Sequence, residues 1–238
     1  MALPIVETPR YECTLASQDM QVQYRPFLVK EEKILLVAME SKDNNEIINA
    51  TKQVIKACTF DKLDVDKLPM FDIEYLLLQI RSKSVGEVSK FKVVCPDDKQ
   101  TVTDVELDLS TVQVQVEDDH TNKIVIDEKR NLGLVLNYPS LGITKAGFDV
   151  NKTDADSMFN VICTCIDHIF EGDKIYPAKD STQKELKDFI ESVTQKAFLD
   201  IKKFFETAPQ LRHEVEVTNP KTGVKSKVTF RGLQDFFQ

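Results

Sequence analysis

The fold is decided by the stretch His213–Phe230, which reads "HEVEVTNPKTGVKSKVTF". Valines alternate with polar residues on both sides of a turn that contains Pro220 and Gly223. Such alternation around a proline and glycine turn predicts a β-hairpin. The turn itself has the shape of a zinc knuckle, C-P-x-C-G, without either cysteine. The stretch therefore predicts a hairpin that once held a metal or that only turns the chain.

A second stretch, Phe91–Leu107, repeats the pattern as "FKVVCPDDKQTVTDVEL". When its proline is aligned with the first, the four knuckle positions are filled by Cys95, Asp98, Asn219 and Thr222. A structural zinc site takes four cysteine or histidine ligands in a tetrahedron. Since only one of these four residues is a cysteine, we predict two zinc-ribbon-like hairpins that hold no metal. We also predict no other cofactor.

Helical patterns occupy most of the remaining chain. Acidic residues followed by an apolar run predict a helix within "LVKEEKILLVAMES", and Asp43 and Pro69 mark the starts of two more. Apolar residues spaced by three and four predict a helix from Asp154 to Phe170, ended by Gly172. "IYPAKDST" is expected to be a loop before further helices that open at Thr182–Glu185 and at Thr194.

The order of elements predicts the fold class. A hairpin around Ser17–Asp19 comes first, then helices, a β-rich middle, helices again and the final hairpin. Strands and helices are segregated rather than alternating, which indicates an α+β fold of helical bundle segments with β-hairpins. We divide the chain into 1–90, 91–150 and 151–238, either as separate segments or as parts of one compact domain.

Composition excludes several classes of protein. The chain has 238 residues, 42% of them hydrophobic, and a net charge of −8, which disfavours a nucleic-acid partner. No apolar run approaches the roughly 18–20 residues of a membrane span, and the first residues lack the pattern of a signal peptide. Five scattered cysteines predict buried free thiols in the reducing cytosol.

Catalytic patterns are weak. His120 lies in a polar turn, His168 on a predicted helix and His213 at the start of a strand, and none is accompanied by a G-x-S-x-G motif. The seven glycines form no phosphate-binding loop, and the acidic pairs are typical of turns and helix starts. The sequence favours a protein that contacts other proteins, not an enzyme, and predicts no small-molecule substrate.

Five segments then resemble a known family. They are "RPFLVKEEK" at Arg25–Lys33, "EIINATKQVIKACT", "FDIEYLLLQIRSKSVGE", "IYPAKDSTQKELKDFIESVTQKAFLDIKKFFETAPQLRHEVEV" and the terminal "GLQDFF". Together they resemble the baseplate hub subunit family of T-even-like contractile-tailed bacteriophages, including cyanophage and other marine relatives, from about Tyr24 to Phe237. The resemblance implies no catalysis. It also implies that some members carry cysteines at the knuckle positions, a pattern from which this chain departs.

The resemblance implies a role in building the tail baseplate hub, with other phage tail proteins as partners. Such a protein would be found in the host cytoplasm during assembly and in the virion baseplate if it is a structural part. The alternatives are an assembly chaperone absent from the finished virion and a degenerate metal-dependent enzyme. The contact elements we expect are Arg25–Lys33 and Gly232–Phe237, with these residues as candidates: Arg25, Pro26, Phe27, Lys30, Phe236 and Phe237.

Overall fold

The computed structural model describes residues 7–41, 43–140 and 155–236. These residues form a mixed α+β structure of small antiparallel sheets and helices, which confirms the predicted fold class. The chain groups into two compact units: unit 1 is Met1–Gln115 with Gln210–Gln238, and unit 2 is Val116–Pro209. The three segments drawn from the sequence stay a prediction, and their boundary at residue 150 lies outside the described residues.

The described residues of unit 1 form two hairpins, three long helices and a three-stranded sheet. Its first elements are β1 Tyr11–Leu15, β2 Met20–Tyr24, α1 Val29–Ser41, α2 Asn44–Cys58 and α3 Met70–Val85. They are followed by β3 Val88–Val94, β4 Val102–Asp108 and β5 Gln113–Gln115. After unit 2, the chain returns to unit 1 as β10 Gln210–Thr218, β11 Lys225–Arg231 and the short helix α7 Gly232–Asp235.

Helix α3 forms the centre of unit 1 because its apolar residues surround the helix axis. Buried residues run almost without interruption from Phe71 to Ile80, as expected for a helix covered on more than one side. The buried carboxylate of Asp72 accepts hydrogen bonds from the Ala16 N–H at 3.0 Å and from the Ser17 hydroxyl, so the first hairpin is tied to this helix. Burial raises the pKa of Asp72 above its ordinary value.

The two hairpins singled out by the sequence both form as predicted. Strand β3 pairs with β4, and β10 pairs with β11 on one side and with β5 on the other. Phe91 of β3 meets Phe230 of β11 edge to face at 5.1 Å, and Phe230 in turn contacts Phe236 at 5.7 Å. These rings are buried, so an aromatic row joins the two hairpins and the C-terminal helix.

The described residues of unit 2 form one four-stranded sheet and three helices. The strands, in sheet order, are β6 Lys123–Asp127, β7 Leu132–Leu136, β8 Ile166–Glu171 and β9 Lys174–Pro177. The helices are α4 Ala155–Cys165, α5 Gln183–Ser192 and α6 Gln195–Glu206. Their starts confirm two predicted caps, because the Thr182 side chain forms a full capping box with Glu185 and Thr194 accepts from the Ala197 N–H.

The predicted helix to Phe170 is wrong in its second half. Helix α4 ends at Cys165, and residues 166–171 form strand β8, which places His168 on a strand. Because Ile166, Ile169 and Phe170 also fit a helical spacing, the sequence pattern did not distinguish a helix from a strand. Pairing with β7 makes this segment a strand. A Cβ added to Gly133 of β7 would lie 2.4 Å from the Phe170 ring, so a glycine is needed there.

The chain after β8 also differs from the prediction. Gly172, with φ of +58°, turns the chain between β8 and β9 and does not end a helix. The expected loop "IYPAKDST" contains part of β9 and a short 3₁₀ helix, Ala178–Asp180. Both differences follow from strand β8: once residues 166–171 pair with β7, β9 adds to the edge of the sheet through the tight turn at Gly172.

Candidate functional site

The two knuckle-like turns of unit 1 have the same backbone arrangement. In one turn the Lys99 N–H donates to the Cys95 carbonyl at 2.9 Å, and in the other the Gly223 N–H donates to the Asn219 carbonyl at 2.8 Å. Both donors have positive φ, 54° for the lysine and 75° for the glycine. The pattern that repeats in the sequence therefore corresponds to a repeated turn in the structure. Only one of the two turns has the glycine that this conformation favours.

The two turns meet through Asp97. The Asn219 side-chain amide donates to both carboxylate oxygens of Asp97, at 2.9 and 3.0 Å, and the Thr222 hydroxyl donates to one of them at 2.6 Å. Residues 122 and 125 positions apart are thus joined. We call the hydrogen bonds among these three residues the turn clasp. Two of its members, Asn219 and Thr222, are predicted knuckle positions; Asp97 is not.

Each of the remaining knuckle residues serves its own turn. Asp98 accepts from the Gln100 and Thr101 N–H groups at 3.0 and 2.9 Å, and these bonds together with the Thr101 hydroxyl hold its pKa well below the ordinary value. The Cys95 side chain is fully buried. Burial raises the pKa of its thiol, and the nearby carboxylates of Asp97 and Asp98 raise it further.

These residues do not fit a zinc ion. A zinc ligand must offer a lone pair, whereas Asn219 and Thr222 direct hydrogen donors at Asp97, and the single thiol is kept protonated. Within the described residues, no group of three or more His, Cys, Asp or Glu side chains could hold a metal. The turn clasp links the two hairpins as a shared metal would, but with hydrogen bonds.

The histidines are dispersed. In unit 2, His120 lies between the Thr207 hydroxyl, 2.9 Å from Nδ1, and the Tyr138 hydroxyl, 2.8 Å from Nε2. Because Thr207 already donates to the Lys203 carbonyl, it accepts from Nδ1–H, and Nε2 is the acceptor for Tyr138. Burial lowers the pKa of His120 although Glu117 and Asp119 act against it. We call this row, Tyr138–His120–Thr207, the histidine clasp.

Nothing in these arrangements resembles a nucleophile with its base. His168 pairs with exposed Asp167, and His213 lies on β10 opposite Phe230. All five cysteines are buried free thiols. Burial raises the pKa of Cys13 and Cys165 to about 12 and that of Cys58 and Cys163 to about 11, so these thiols stay protonated near neutral pH.

An open groove in unit 2 lies between β6 and α6 and encloses about 960 Å³. Its walls carry basic and acidic side chains together, including Lys123, Arg130, Lys196 and Asp200. Two of the cations are already engaged: Lys123 lies over the Phe170 ring, and Arg130 pairs with Glu171 at 2.6 Å. Because the groove carries both signs of charge and two of its cations already have partners, its chemistry indicates no particular class of ligand.

Comparison with known families assigns the chain. Residues 8–238 match the family described as T4 bacteriophage base plate protein. The chain belongs to this base plate family. Comparisons with curated proteins and with solved structures give no match. Since the family match covers segments of both units, the base plate assignment applies to the whole described fold.

In this base plate protein, the distinctive "RPFLVKEEK" segment builds the start of α1. The Arg25 guanidinium pairs with the Glu31 carboxylate at 3.0 Å, and both side chains are almost fully buried. The second Glu31 oxygen accepts from the Leu28 N–H at 2.7 Å, and the Phe27 N–H donates to the Ser84 hydroxyl at 3.0 Å. Burial raises the pKa of Glu31, but these partners more than offset it and leave it lowered.

The expected contact residues of the base plate protein lie in different environments. Arg25 and Phe236 are inside unit 1, where Phe236 is completely buried and its carbonyl accepts from Arg81 at 2.6 Å. Pro26 and Phe27 are half-buried and Lys30 is exposed. Phe237 lies outside the described residues. A direct contact role at these positions remains a proposal. It suits the half-buried and exposed residues better than the buried ones.

Sequence reasoning missed the outer face of α1. The helix buries Glu31 and Ala38 on its inner side and packs against α2. Its outer side exposes 81% of Val29, 55% of Leu36, 56% of Val37 and 58% of Met39. The run of adjacent apolar residues in "ILLVAM", longer than one helical face needs, was the signal that could have found it.

Proposed function

We propose that this chain acts in the central hub of the phage tail base plate through protein–protein contacts. The observation that carries the proposal is the family match over residues 8–238, together with the hub-like segments at Arg25–Lys33 and Gly232–Phe237. Its partners are other tail and base plate proteins. It is present in the host cytoplasm during assembly and, as a structural part, in the virion base plate.

Surface chemistry supports a contact role. The outer face of α1 carries the exposed apolar residues that water-exposed helices ordinarily avoid, and Pro26, Phe27 and Lys30 lie at its start. Arg25 and Phe236 contribute from inside, because they fix the helix and the C-terminal residues to unit 1. Among the described residues, no helix is both long and apolar enough to cross a membrane.

Mass spectrometry of purified virions separates the two versions of this function. Peptides from this chain at a fixed ratio to other base plate proteins are the expected result for a structural subunit. Their complete absence from virions, with abundant chain in infected cells, would contradict the subunit version and support a hub assembly chaperone.

Stoichiometric zinc in the purified chain would instead support a degenerate metal-dependent enzyme.

Capture of partners from infected cells tests the hub assignment. We expect the tagged chain to bring down tail hub proteins and the Lys30→Glu variant to bring down less, because Lys30 is exposed within the proposed contact segment Arg25–Lys33. Lys174→Glu, an exposed lysine on β9 of unit 2, is the matched control and should leave capture unchanged. Recovery of host proteins without any tail protein would exclude the hub role.

A further inference from the structure

The exposed face of α1 has a charge pattern that complements itself. Leu36 and Val37 lie at its centre, with Lys33 on the N-terminal side and Glu40 on the C-terminal side. Lys33 and Glu40 are seven residues apart, so they project from nearly the same side of the helix, about 10 Å apart along its axis. Neither forms an ion pair with another of the described residues.

We propose that α1 packs antiparallel against α1 of a second copy of this chain. A twofold axis between Leu36 and Val37 sets each of these residues against the other in the partner copy. The same axis sets Lys33 against Glu40 twice, once on each side of the apolar centre. Isologous contacts of this kind are the commonest form of homodimer.

The charges select this arrangement over a parallel one. Parallel packing would bring Lys33 against Lys33 and Glu40 against Glu40 of the two copies, and like charges in contact are unfavourable. In the antiparallel arrangement the other exposed acid of the first turn, Glu32, lies opposite Ser41 and meets no like charge. The apolar centre supplies the attraction, and the charges fix its direction.

The size of the surface predicts a weak dimer. Helix α1 has 13 residues and is therefore about 20 Å long. Two helices of this length bury less than the roughly 1,200 Å² of a stable interface, so we expect a dissociation constant on the order of 10 µM. This self-association uses the outer face of α1, which also supports the contact role, but it can be measured on the isolated chain.

Charge reversal of the full chain, followed by sedimentation velocity over a concentration series, tests the proposal. Lys33→Glu and Glu40→Lys should each weaken the dimer about tenfold or more, because each substitution places two like-charge contacts in the symmetric pair. The double variant Lys33→Glu/Glu40→Lys should dimerise again. A mixture of the two single variants should form a heterodimer, since every contact between them is then between opposite charges.

A second pair of variants tests the apolar centre. Leu36→Glu should abolish the dimer, whereas Leu199→Glu, at an equally exposed leucine on α6 of unit 2, should not. A monomeric wild-type chain at about 100 µM overturns the proposal, as does a dimer that neither charge reversal weakens. If Leu36→Glu instead removes capture of a tail protein by a monomeric chain, the occupant of this face is that protein, and the homodimer is excluded. Virion composition tests the hub role separately.

Discussion

The turn clasp of unit 1 and the histidine clasp of unit 2 both join distant residues around one titratable side chain. In the turn clasp, Asp97 accepts three hydrogen bonds from Asn219 and Thr222. In the histidine clasp, His120 donates to Thr207 and accepts from Tyr138. The central group of each clasp has a lowered pKa, but the lowering favours the charged aspartate in one and the neutral histidine in the other.

This difference follows from what surrounds each group. Asp97 faces donors, and the hydrogen bonds from Thr222 and Asn219 lower its pKa because they stabilise the carboxylate. His120 is packed beside Phe204 and Tyr138 with ring centroids 5.3 and 5.6 Å away, and this burial disfavours the imidazolium.

The largest expected effect comes from restoring thiolates to the knuckle positions. We expect Asp98→Cys/Asn219→Cys/Thr222→Cys, with native Cys95, to bind one zinc ion per chain, because the fold places the two turns side by side. Structural zinc in small sites contributes about 10 kcal/mol or more. Metal analysis after dialysis measures it, and the double variant Asn219→Cys/Thr222→Cys is the control with one ligand fewer. Loss of all zinc on dialysis would show that the turns do not converge.

Removal of the buried amide should open the turn clasp. Asn219→Ala removes two donors from Asp97 and the acceptor of the Lys221 and Thr222 N–H groups, so we expect a loss of about 2–3 kcal/mol from unit 1. Amide hydrogen exchange of β10 and β11 measures it. Thr222→Val, which removes one hydroxyl, should cost less. Equal protection in Asn219→Ala and wild type would show that the clasp does not stabilise the hairpins.

The histidine clasp should respond to substitution less strongly. His120→Phe keeps a ring against Phe204 but loses both hydrogen bonds, and we expect unit 2 to lose about 1 kcal/mol. Urea unfolding followed by a probe in unit 2 measures the change. His168→Gln, at a histidine on β8 whose partner is exposed Asp167, is the matched control. A larger loss in the control than in His120→Phe would contradict the assignment.

As the pH falls, the histidine clasp should weaken before the turn clasp. The folded-state pKa of His120 lies below its unfolded value, so the unfolded chain takes up the proton first and unit 2 loses stability as the pH falls below about 6.5. The pKa of Asp97 is lowered from a smaller starting value, so unit 1 keeps its clasp until the pH falls below about 4. Hydrogen exchange at pH 7.5, 5.5 and 3.5 measures the protection of each unit. Loss of protection in unit 1 at a higher pH than in unit 2 would contradict the prediction.

Local features of this fold could be predicted from sequence. The hairpins at Phe91–Leu107 and His213–Phe230, the caps at Thr182 and Thr194, and the buried α3 each depend on residues within a few positions of one another. Four knuckle positions could be named for the same reason. Asp97 could not be singled out, because only a second turn placed opposite makes its carboxylate the centre of the clasp.

By itself, then, the sequence determined which segments turn, which alternate and which are helical, since backbone preferences and caps act over one or two turns of chain. Only the tertiary structure decided that residues 166–171 form a strand, that the two turns meet through hydrogen bonds to Asp97, and that α1 leaves an apolar face outward. Each of these depends on what lies opposite in space, and burial and pairing energies outweigh local propensity there.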